Sequence, residues 1–146
     1  SVVEFEKYSQ CVDALLNVET YAQVHQLVSA VSGQLRQGVS VSDLLAATFP
    51  AGSMTGAPKR SAMAHLRGLE RGSRGIYAGC WGYIGFDGTV DLAMVIRTII
   101  LHGDVATVGS GGGITSGSVV VEEVQEVGVK VRAPLAALGA AVPAGW

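Results

Sequence analysis

The chain has 146 residues, of which 49% are hydrophobic and 15% are charged, and its formal net charge is -2. This composition excludes an intrinsically disordered chain, and the length predicts one domain with either an extensive interior or an apolar surface for a partner. The small negative charge and the lack of a basic run argue against nucleic-acid binding. Two isolated cysteines, Cys11 and Cys80, lack metal-site spacing and are interpreted as buried or incidental thiols.

The first third of the sequence predicts an irregular lead-in, a strand and a short helix. The first 18 residues show no clear period. The β-branched residues between Tyr21 and Leu35 predict a strand that is buried on both faces. Ser40 or Ser42 is a suitable N-cap for a short helix from Asp43 to Thr48.

The rest of the sequence predicts a helix, an antiparallel meander and a final helix. Apolar residues at helical spacing predict a helix from Lys59 to Glu70. The period then changes, which predicts strands over Tyr77–Phe86, Val90–Leu101 and Val105–Ile114. A last helix is predicted from about Val119 to Leu138. This order of elements is typical of the α+β class.

No segment of the sequence predicts membrane insertion or secretion. The N-terminus lacks the basic-then-apolar pattern of a signal peptide. The longest apolar run, Leu92 to Leu101, is interrupted by Arg97 and is too short to cross a bilayer. We therefore expect a soluble, cytoplasmic protein that makes no membrane contact.

The segment from Phe49 to Lys59 predicts an anion-binding loop. Its glycines and prolines surround the hydroxyls of Ser53 and Thr55. Such a loop presents backbone N–H groups and hydroxyls to a ligand that carries carboxylates or phosphates. This pattern favours part of an enzyme over a scaffold protein.

Acidic and basic residues share one face of the predicted last helix. Glu122, Glu126 and Lys130 follow one another at i, i+4 steps, and Glu123 lies beside them. One interpretation is a solvated face with a weak Glu-to-Lys ion pair. The other is a Mg²⁺ site, in which the lysine one turn on binds the carboxylate of the ligand. One helix cannot supply a full Mg²⁺ shell, so other ligands or water must complete it.

Arg97 falls in the middle of the predicted strand Val90–Leu101, where an unpaired guanidinium is costly. It either pairs with Asp91 on the same face or binds a substrate carboxylate in a bidentate fork. A three-residue turn from Asp87 to Thr89 would place Tyr77 on the face of Arg97, whereas a two-residue turn would place it on the other face.

Two further features allow a structural or a functional interpretation. Gly111, Gly112 and Gly113 indicate either a turn or backbone amides that approach a ligand closely. His25 is either a core histidine or a site residue. No Ser-His-Asp or Cys-His arrangement and no nucleotide-loop motif is present in the sequence.

In their order along the chain, these segments resemble the C-terminal part of the chorismate-utilising enzymes. That family includes component I of anthranilate synthase and of aminodeoxychorismate synthase, and the isochorismate and salicylate synthases. The resemblance implies the C-terminal portion of the chorismate-binding fold, with antiparallel sheets and flanking helices in a single partial domain that lacks its N-terminal part. The matching segments are 24–29, 49–59, 83–91, 96–98, 111–114 and 122–130.

The resemblance also implies roles for individual residues. Glu126 is similar to the Mg²⁺ carboxylate of the family, with Glu123 as its companion. Lys130 is similar to the residue that contacts the ring carboxylate of chorismate, and Arg97 and Tyr77 to the pair on the enolpyruvyl carboxylate. His25 corresponds to the family histidine beside the ring, which implies a catalytic role. Further substrate contacts are implied for Ser53, Thr55, Gly111, Gly112 and Gly113.

Within the family, the loop Gly-Ser-Met-Thr-Gly-Ala-Pro-Lys is similar to the aminodeoxychorismate branch. That branch converts chorismate and ammonia to 4-amino-4-deoxychorismate for folate synthesis, with Mg²⁺ and a glutamine amidotransferase subunit as partner. The alternatives are the anthranilate branch, or a non-catalytic fragment that forms a homodimer through an exposed half-core.

The sequence also departs from the family pattern. The upstream Mg²⁺ glutamate, the general acid and the Pro-Ile-Lys-Gly-Thr motif have no counterpart in this sequence, and Gly-Ser-Val-Val-Val replaces the usual acidic start of the last helix over 117–121. We therefore expect no turnover by the isolated chain.

Overall fold

The structure is a computed structural model that describes residues 9–22 and 24–144, and the chain divides into two compact units after Thr48. The first unit contains strand β1 (Cys11–Tyr21), strand β2 (Val24–Ser32) and helix α1 (Val41–Thr48). The prediction of an irregular lead-in is therefore wrong from Cys11 onward, and its first eight residues lie outside the described ranges. That the chain is one partial domain stays a prediction.

Strands β1 and β2 form an antiparallel hairpin with two irregularities in β1. Leu16 lies at the second irregularity, with a φ of 51°, and its N–H donates to Ser29 Oγ at 3.0 Å. The prediction that β2 is buried on both faces is wrong, because only Val28 is half-buried and the other residues of the strand are exposed. Within the described residues, β2 pairs with β1 in a two-stranded sheet.

Helix α1 begins at Val41, two residues before the predicted start, and Ser40 rather than Ser42 is its N-cap. Ser40 Oγ accepts a hydrogen bond from Asp43 N–H at 3.2 Å, and the Asp43 carboxylate accepts one from Ser40 N–H at 3.0 Å. This reciprocal pair is a capping box. The hydrogen bonds from Ser40 also lower the pKa of Asp43. The prediction of a short helix is confirmed.

The second unit contains three helices and two hairpins. Helix α2 (Gly52–Thr55) is a single turn, whereas α3 (Lys59–Leu69) and α4 (Val120–Ala137) match the helices that the sequence predicts. Helix α2 lies against α3, and α4 lies against the last strand. The strands form antiparallel pairs, β3 with β4 and β5 with β6. Their bounds are Cys80–Ile84 for β3, Val90–Met94 for β4, Ile99–His102 for β5 and Val105–Val108 for β6.

The loop between β3 and β4 is longer than the sequence predicts. Ile84 pairs with Val90, so five residues rather than three connect the strands. The loop closes through a hydrogen bond from Gly85 N–H to the Thr89 carbonyl at 2.7 Å, and the Asp87 carboxylate accepts from Thr89 N–H at 3.0 Å.

Two other strand predictions are also wrong in part. The predicted strand Val90–Leu101 is interrupted between β4 and β5, at Arg97 with its φ of 50°. Strand β3 begins only at Cys80, so Tyr77 lies in the preceding turn. The third predicted strand ends at Val108, where the glycine-rich segment begins.

The described residues bury very little apolar surface. Ala78, Val95 and Pro134 are the buried apolar residues, whereas Trp81 is 78% exposed and Phe86 is fully exposed. The accessible surface is 11409 Å², whereas a folded monomer of this mass exposes about 7,000 Å². The expectation of an extensive interior is wrong for these residues, and the alternative of an apolar partner surface stays a prediction. Within the described ranges, no helix is both long and apolar enough to cross a membrane.

Candidate active site

A cavity of about 880 Å³ lies within the second unit. Its walls come from α2, the end of α3, the turn before β3, the connection between β4 and β5, the segment after β6, and α4. Three cationic side chains, Arg74, Arg97 and Lys130, line it together with one carboxylate, that of Glu70. This excess of positive charge favours an anionic ligand.

Arg97 reaches the cavity from a bend in the chain rather than from a strand. Its positive φ, which is uncommon for a residue with a side chain, ends the extended run of β4. Arg97 is exposed, and it makes no ion pair or hydrogen bond with any residue in the described part of the chain. It therefore does not pair with Asp91, and its guanidinium is available to a ligand carboxylate.

Tyr77 lines the same cavity from the turn before β3. Its N–H donates to the Arg74 carbonyl at 3.1 Å. Its ring packs on the backbone of Gly109, where an added Cβ would lie 2.6 Å from ring carbons. A Cβ added at Gly111 would lie 3.2 Å from the Tyr77 hydroxyl. The structure thus brings Tyr77 and Arg97 to one cavity, although the three-residue turn from which this was predicted is wrong.

Lys130 connects α4 to the glycine-rich segment. Its Nζ donates to the Gly111 carbonyl at 3.2 Å and lies 2.9 Å from Glu126 Oε1. An ammonium has three N–H donors, so one remains for a ligand. The hydrogen bond and the charge of Lys130 lower the pKa of Glu126, which keeps that carboxylate ionised near neutral pH.

Glu123 carries an unsatisfied carboxylate oxygen beside this pair. Its Oε1 accepts a hydrogen bond from Ser118 Oγ at 2.5 Å. Its Oε2 is buried and has no hydrogen-bond partner in the described structure, and it lies 3.1 Å from the position of a Cβ at Gly112. A buried carboxylate oxygen without a donor is unfavourable unless a cation satisfies it.

The two glutamates fit a hard divalent cation. Mg²⁺ is commonly held by one or two carboxylates, with water and the ligand completing its shell. Glu123 and Glu126 are one turn apart on α4 and supply such a pair. In the described ranges no group of three His, Cys, Asp or Glu residues could hold a metal, so the two glutamates supply only part of a Mg²⁺ shell.

The remaining predicted site residues lie in different environments. Ser53 and all three glycines of 111–113 line the cavity, whereas Thr55 does not. Thr55 is buried, and its hydroxyl donates to the Ala51 carbonyl at 3.2 Å. His25 lies in β2 of the first unit, where its Nδ1 is 3.0 Å from Thr20 Oγ1. The catalytic role of His25 stays a prediction.

Sequence reasoning missed four residues that shape this site. Glu70 and Arg74 line the cavity, Gly109 packs on Tyr77, and Ser118 donates to Glu123. The i, i+4 spacing of Glu70 and Arg74 was a detectable signal. Ser118 is five residues from Glu123, so that contact is local, whereas Gly109 meets Tyr77 from a distant segment, which one sequence does not reveal.

Comparison with known proteins connects this site to a family. A family model described as chorismate binding enzyme matches residues 4–136. The chain is 48% identical to an aminodeoxychorismate synthase of Streptomyces pristinaespiralis over 127 residues, which are 87% of the chain and 18% of that protein. It is 42% identical to anthranilate synthase component 1 of Aquifex aeolicus, covering 87% of the chain and 26% of that protein.

A solved structure shows the same fold. Anthranilate synthase component I from Streptococcus pneumoniae superimposes with a TM-score of 0.82 at 40% identity, covering 89% of this chain and 30% of that one. This similarity confirms the predicted α+β fold class. The chain thus spans between 18% and 30% of the length of these relatives.

Proposed function

The chain belongs to the family of chorismate binding enzymes, and from this premise we propose that its second unit binds chorismate. The observation that carries the proposal is the cavity itself, in which Arg97 is unpaired among the described residues and Lys130, although paired with Glu126, keeps a donor for a ligand. Chorismate carries two carboxylates, so a cavity with separate cationic groups suits it.

Each carboxylate of chorismate has its own candidate partners in this proposal. Arg97 and Tyr77 bind the enolpyruvyl carboxylate, with the guanidinium as a fork and the phenol as a further donor. The free N–H of Lys130 binds the ring carboxylate. Ser53 and the backbone at Gly111 to Gly113 supply neutral contacts along the wall. Holding both ends fixes the ring in the cavity before any bond changes.

We also propose that Glu123 and Glu126 hold a Mg²⁺ ion beside Lys130. The support is the buried, unpartnered Oε2 of Glu123 and the ionised state that Lys130 favours at Glu126. When bound, Mg²⁺ would polarise the ring carboxylate and assist the loss of the ring hydroxyl. Ser118 orients Glu123 by donating to its other oxygen, which leaves Oε2 directed away from that hydrogen bond.

For the whole protein we propose the reaction named by the first of these relatives, aminodeoxychorismate synthesis. The support is an identity of up to 48% to proteins of that name, together with the loop from Gly52 to Lys59. In this reaction ammonia from a glutamine amidotransferase partner replaces the 4-hydroxyl of chorismate, for folate synthesis. His25 is the candidate catalytic residue from the first unit.

Anthranilate synthesis is the second candidate. It is supported by the 42% identity to anthranilate synthase component 1 and by the solved structure at 40% identity. Deleting the gene that encodes this chain distinguishes the two. A requirement for p-aminobenzoate supports aminodeoxychorismate synthesis, and a requirement for tryptophan supports the second candidate.

The binding proposal is tested by calorimetric titration of the 146-residue chain with chorismate, with and without Mg²⁺. We expect saturable binding that Mg²⁺ strengthens and that Arg97→Ala weakens roughly 10- to 150-fold, the range for losing hydrogen bonds to a charged group. Arg67→Ala is the matched control, since Arg67 is an exposed arginine that does not line the cavity. No saturable binding, or equal affinity in both variants, would refute the proposal.

A further inference from the structure

Arg74 joins three segments at the rim of the cavity. Its side chain lies between the end of α3 and the single turn α2, and its backbone begins the turn that carries Tyr77. The Arg74 side chain is only 27% exposed. A half-buried arginine at such a junction either binds ligand or fixes the protein around it.

The side-chain contacts of Arg74 favour the second role. Its Nε donates to both carboxylate oxygens of Glu70, at 3.1 and 3.0 Å, and its Nη2 lies 2.5 Å from Oε1 of the same group. The charges of the Arg74 guanidinium and the Glu70 carboxylate therefore balance each other. This fork-like geometry restricts the guanidinium to one orientation. The hydrogen bond to Glu70 also raises the pKa of Arg74, so the cation persists at all physiological pH values.

The third contact transmits that orientation to α2. Arg74 Nη1 donates to the Met54 carbonyl at 2.6 Å, although the two residues are 20 positions apart. Carbonyls in the last turn of a helix have no partner within the helix, so this donor replaces the missing hydrogen bond. Met54 directly follows Ser53, and both line the cavity.

The backbone of Arg74 makes the corresponding contact toward Tyr77. Its carbonyl accepts the Tyr77 N–H at 3.1 Å, which closes the turn before β3. One residue thus holds the segment of Ser53 through its side chain and the segment of Tyr77 through its main chain. Ser53 and Tyr77 are two of the side chains that we have assigned to chorismate.

We propose that Arg74, held by Glu70, is a positioning residue that fixes α2 and thereby places Ser53 against the substrate. The inference rests on the proposed function for the assignment of Ser53 to chorismate. The connection between Arg74 and α2 is independent of that assignment, because its contacts lie within the protein.

Amide hydrogen exchange tests the connection without ligand. The amides of Met54, Thr55 and Gly56 are hydrogen-bonded to Ala51 and Gly52. In the 146-residue chain, Arg74→Met is expected to speed exchange of these three amides roughly 10-fold or more, because the loss of a charged donor loosens α2. Glu70→Gln, which keeps the size of the side chain, is expected to act in the same direction and serves if Arg74→Met does not fold.

Arg67→Met is the control, as Arg67 lies in the last turn of α3 without lining the cavity. Unchanged exchange in both test variants, or an equal change in the control, overturns the inference.

Chorismate affinity tests whether the connection acts through Ser53. Arg74→Met is expected to weaken chorismate binding about 10-fold in the chain that keeps Ser53, and much less in a Ser53→Ala background. A general loss of stability would give the same weakening in both backgrounds, and that result overturns the positioning role. If the unmodified chain binds no chorismate, the proposed function fails, and the exchange experiment still decides on the connection to α2.

Discussion

Gly109→Ala is expected to displace Tyr77, and the structure gives the size of the effect. The added Cβ would lie 2.6 Å from two ring carbons of Tyr77 and 3.0 Å from its Cβ. Carbon atoms pack at about 3.5–4.0 Å, so the side chain must move by roughly 1 Å. The contact includes the Tyr77 Cβ, so a rotation of the ring alone does not relieve it. Gly109 does not have a positive φ, so backbone strain adds nothing to this effect.

Overpacking of this kind costs about 1–3 kcal/mol. We expect Gly109→Ala to lower the free energy of unfolding in urea by that amount and to weaken chorismate binding, because the phenol moves from its position. Gly68→Ala is the control, since a Cβ at this helical glycine meets nothing within 4 Å. Alanine in place of glycine within a helix should stabilise it by up to about 1 kcal/mol.

A double-mutant cycle assigns the cost to the Tyr77 ring. In a Tyr77→Ala background the ring is absent, so Gly109→Ala should cost little in unfolding free energy. A cost of the same size in both backgrounds would refute the steric argument, because the pair would then show no coupling.

Three further predictions follow from the contacts of Glu70 and Glu123 and from the exposed apolar surface. Arg74 lowers the pKa of Glu70 below its ordinary value of 4.5, so this carboxylate contributes stability above that pH and loses it as the pH falls through the lowered value. Urea unfolding at several acidic pH values should show this loss, and Glu70→Gln should reduce it. Ser118→Ala should weaken Mg²⁺-dependent chorismate binding roughly 10-fold, measured by calorimetry, and equal Mg²⁺ dependence would contradict the assigned orientation of Glu123. Sedimentation at increasing concentration should show self-association through exposed residues such as Trp81 and Phe86. A chain that stays monomeric at every concentration would contradict the predicted self-association.

Helices α3 and α4 could be predicted because their signals are local, whereas the single turn α2 falls in the segment that was predicted as a loop. Apolar residues at helical spacing identify α3 and α4, and the dipeptide Gly103-Asp104 marks the two-residue turn between β5 and β6. The register of β3 and β4 could not be predicted in this way. It depends on hydrogen bonds within the loop, from Thr89 to Asp87 and from Gly85 to Thr89, and alternation in the strands does not specify the length of that loop.

The residues of the candidate site could likewise be predicted only where their spacing along the sequence brings them together. Glu123, Glu126 and Lys130 share one helix, so their i, i+4 and i, i+3 spacing brings them together before any tertiary contact is known. The sequence identified Arg97 as a cation that would be costly inside a strand. The structure places it in a bend with a positive φ, outside the strand, and that bend depends on tertiary structure rather than on local sequence. Arg74 depends on a carbonyl 20 residues away, so spacing alone could suggest only its pair with Glu70.

The segment from Gly109 to Gly112 connects the two proposed carboxylate sites. Its backbone packs on the ring of Tyr77 at one end and on Glu123 Oε2 at the other, and the Gly111 carbonyl between them accepts from Lys130. Side chains at 109 and 112 would separate that backbone from the groups it touches. Glycine is therefore needed here for close approach, independently of any turn. It follows that Gly109→Ala would press on Tyr77 and Gly112→Ala would press on Glu123, so the two ends of the segment act on different proposed carboxylate sites.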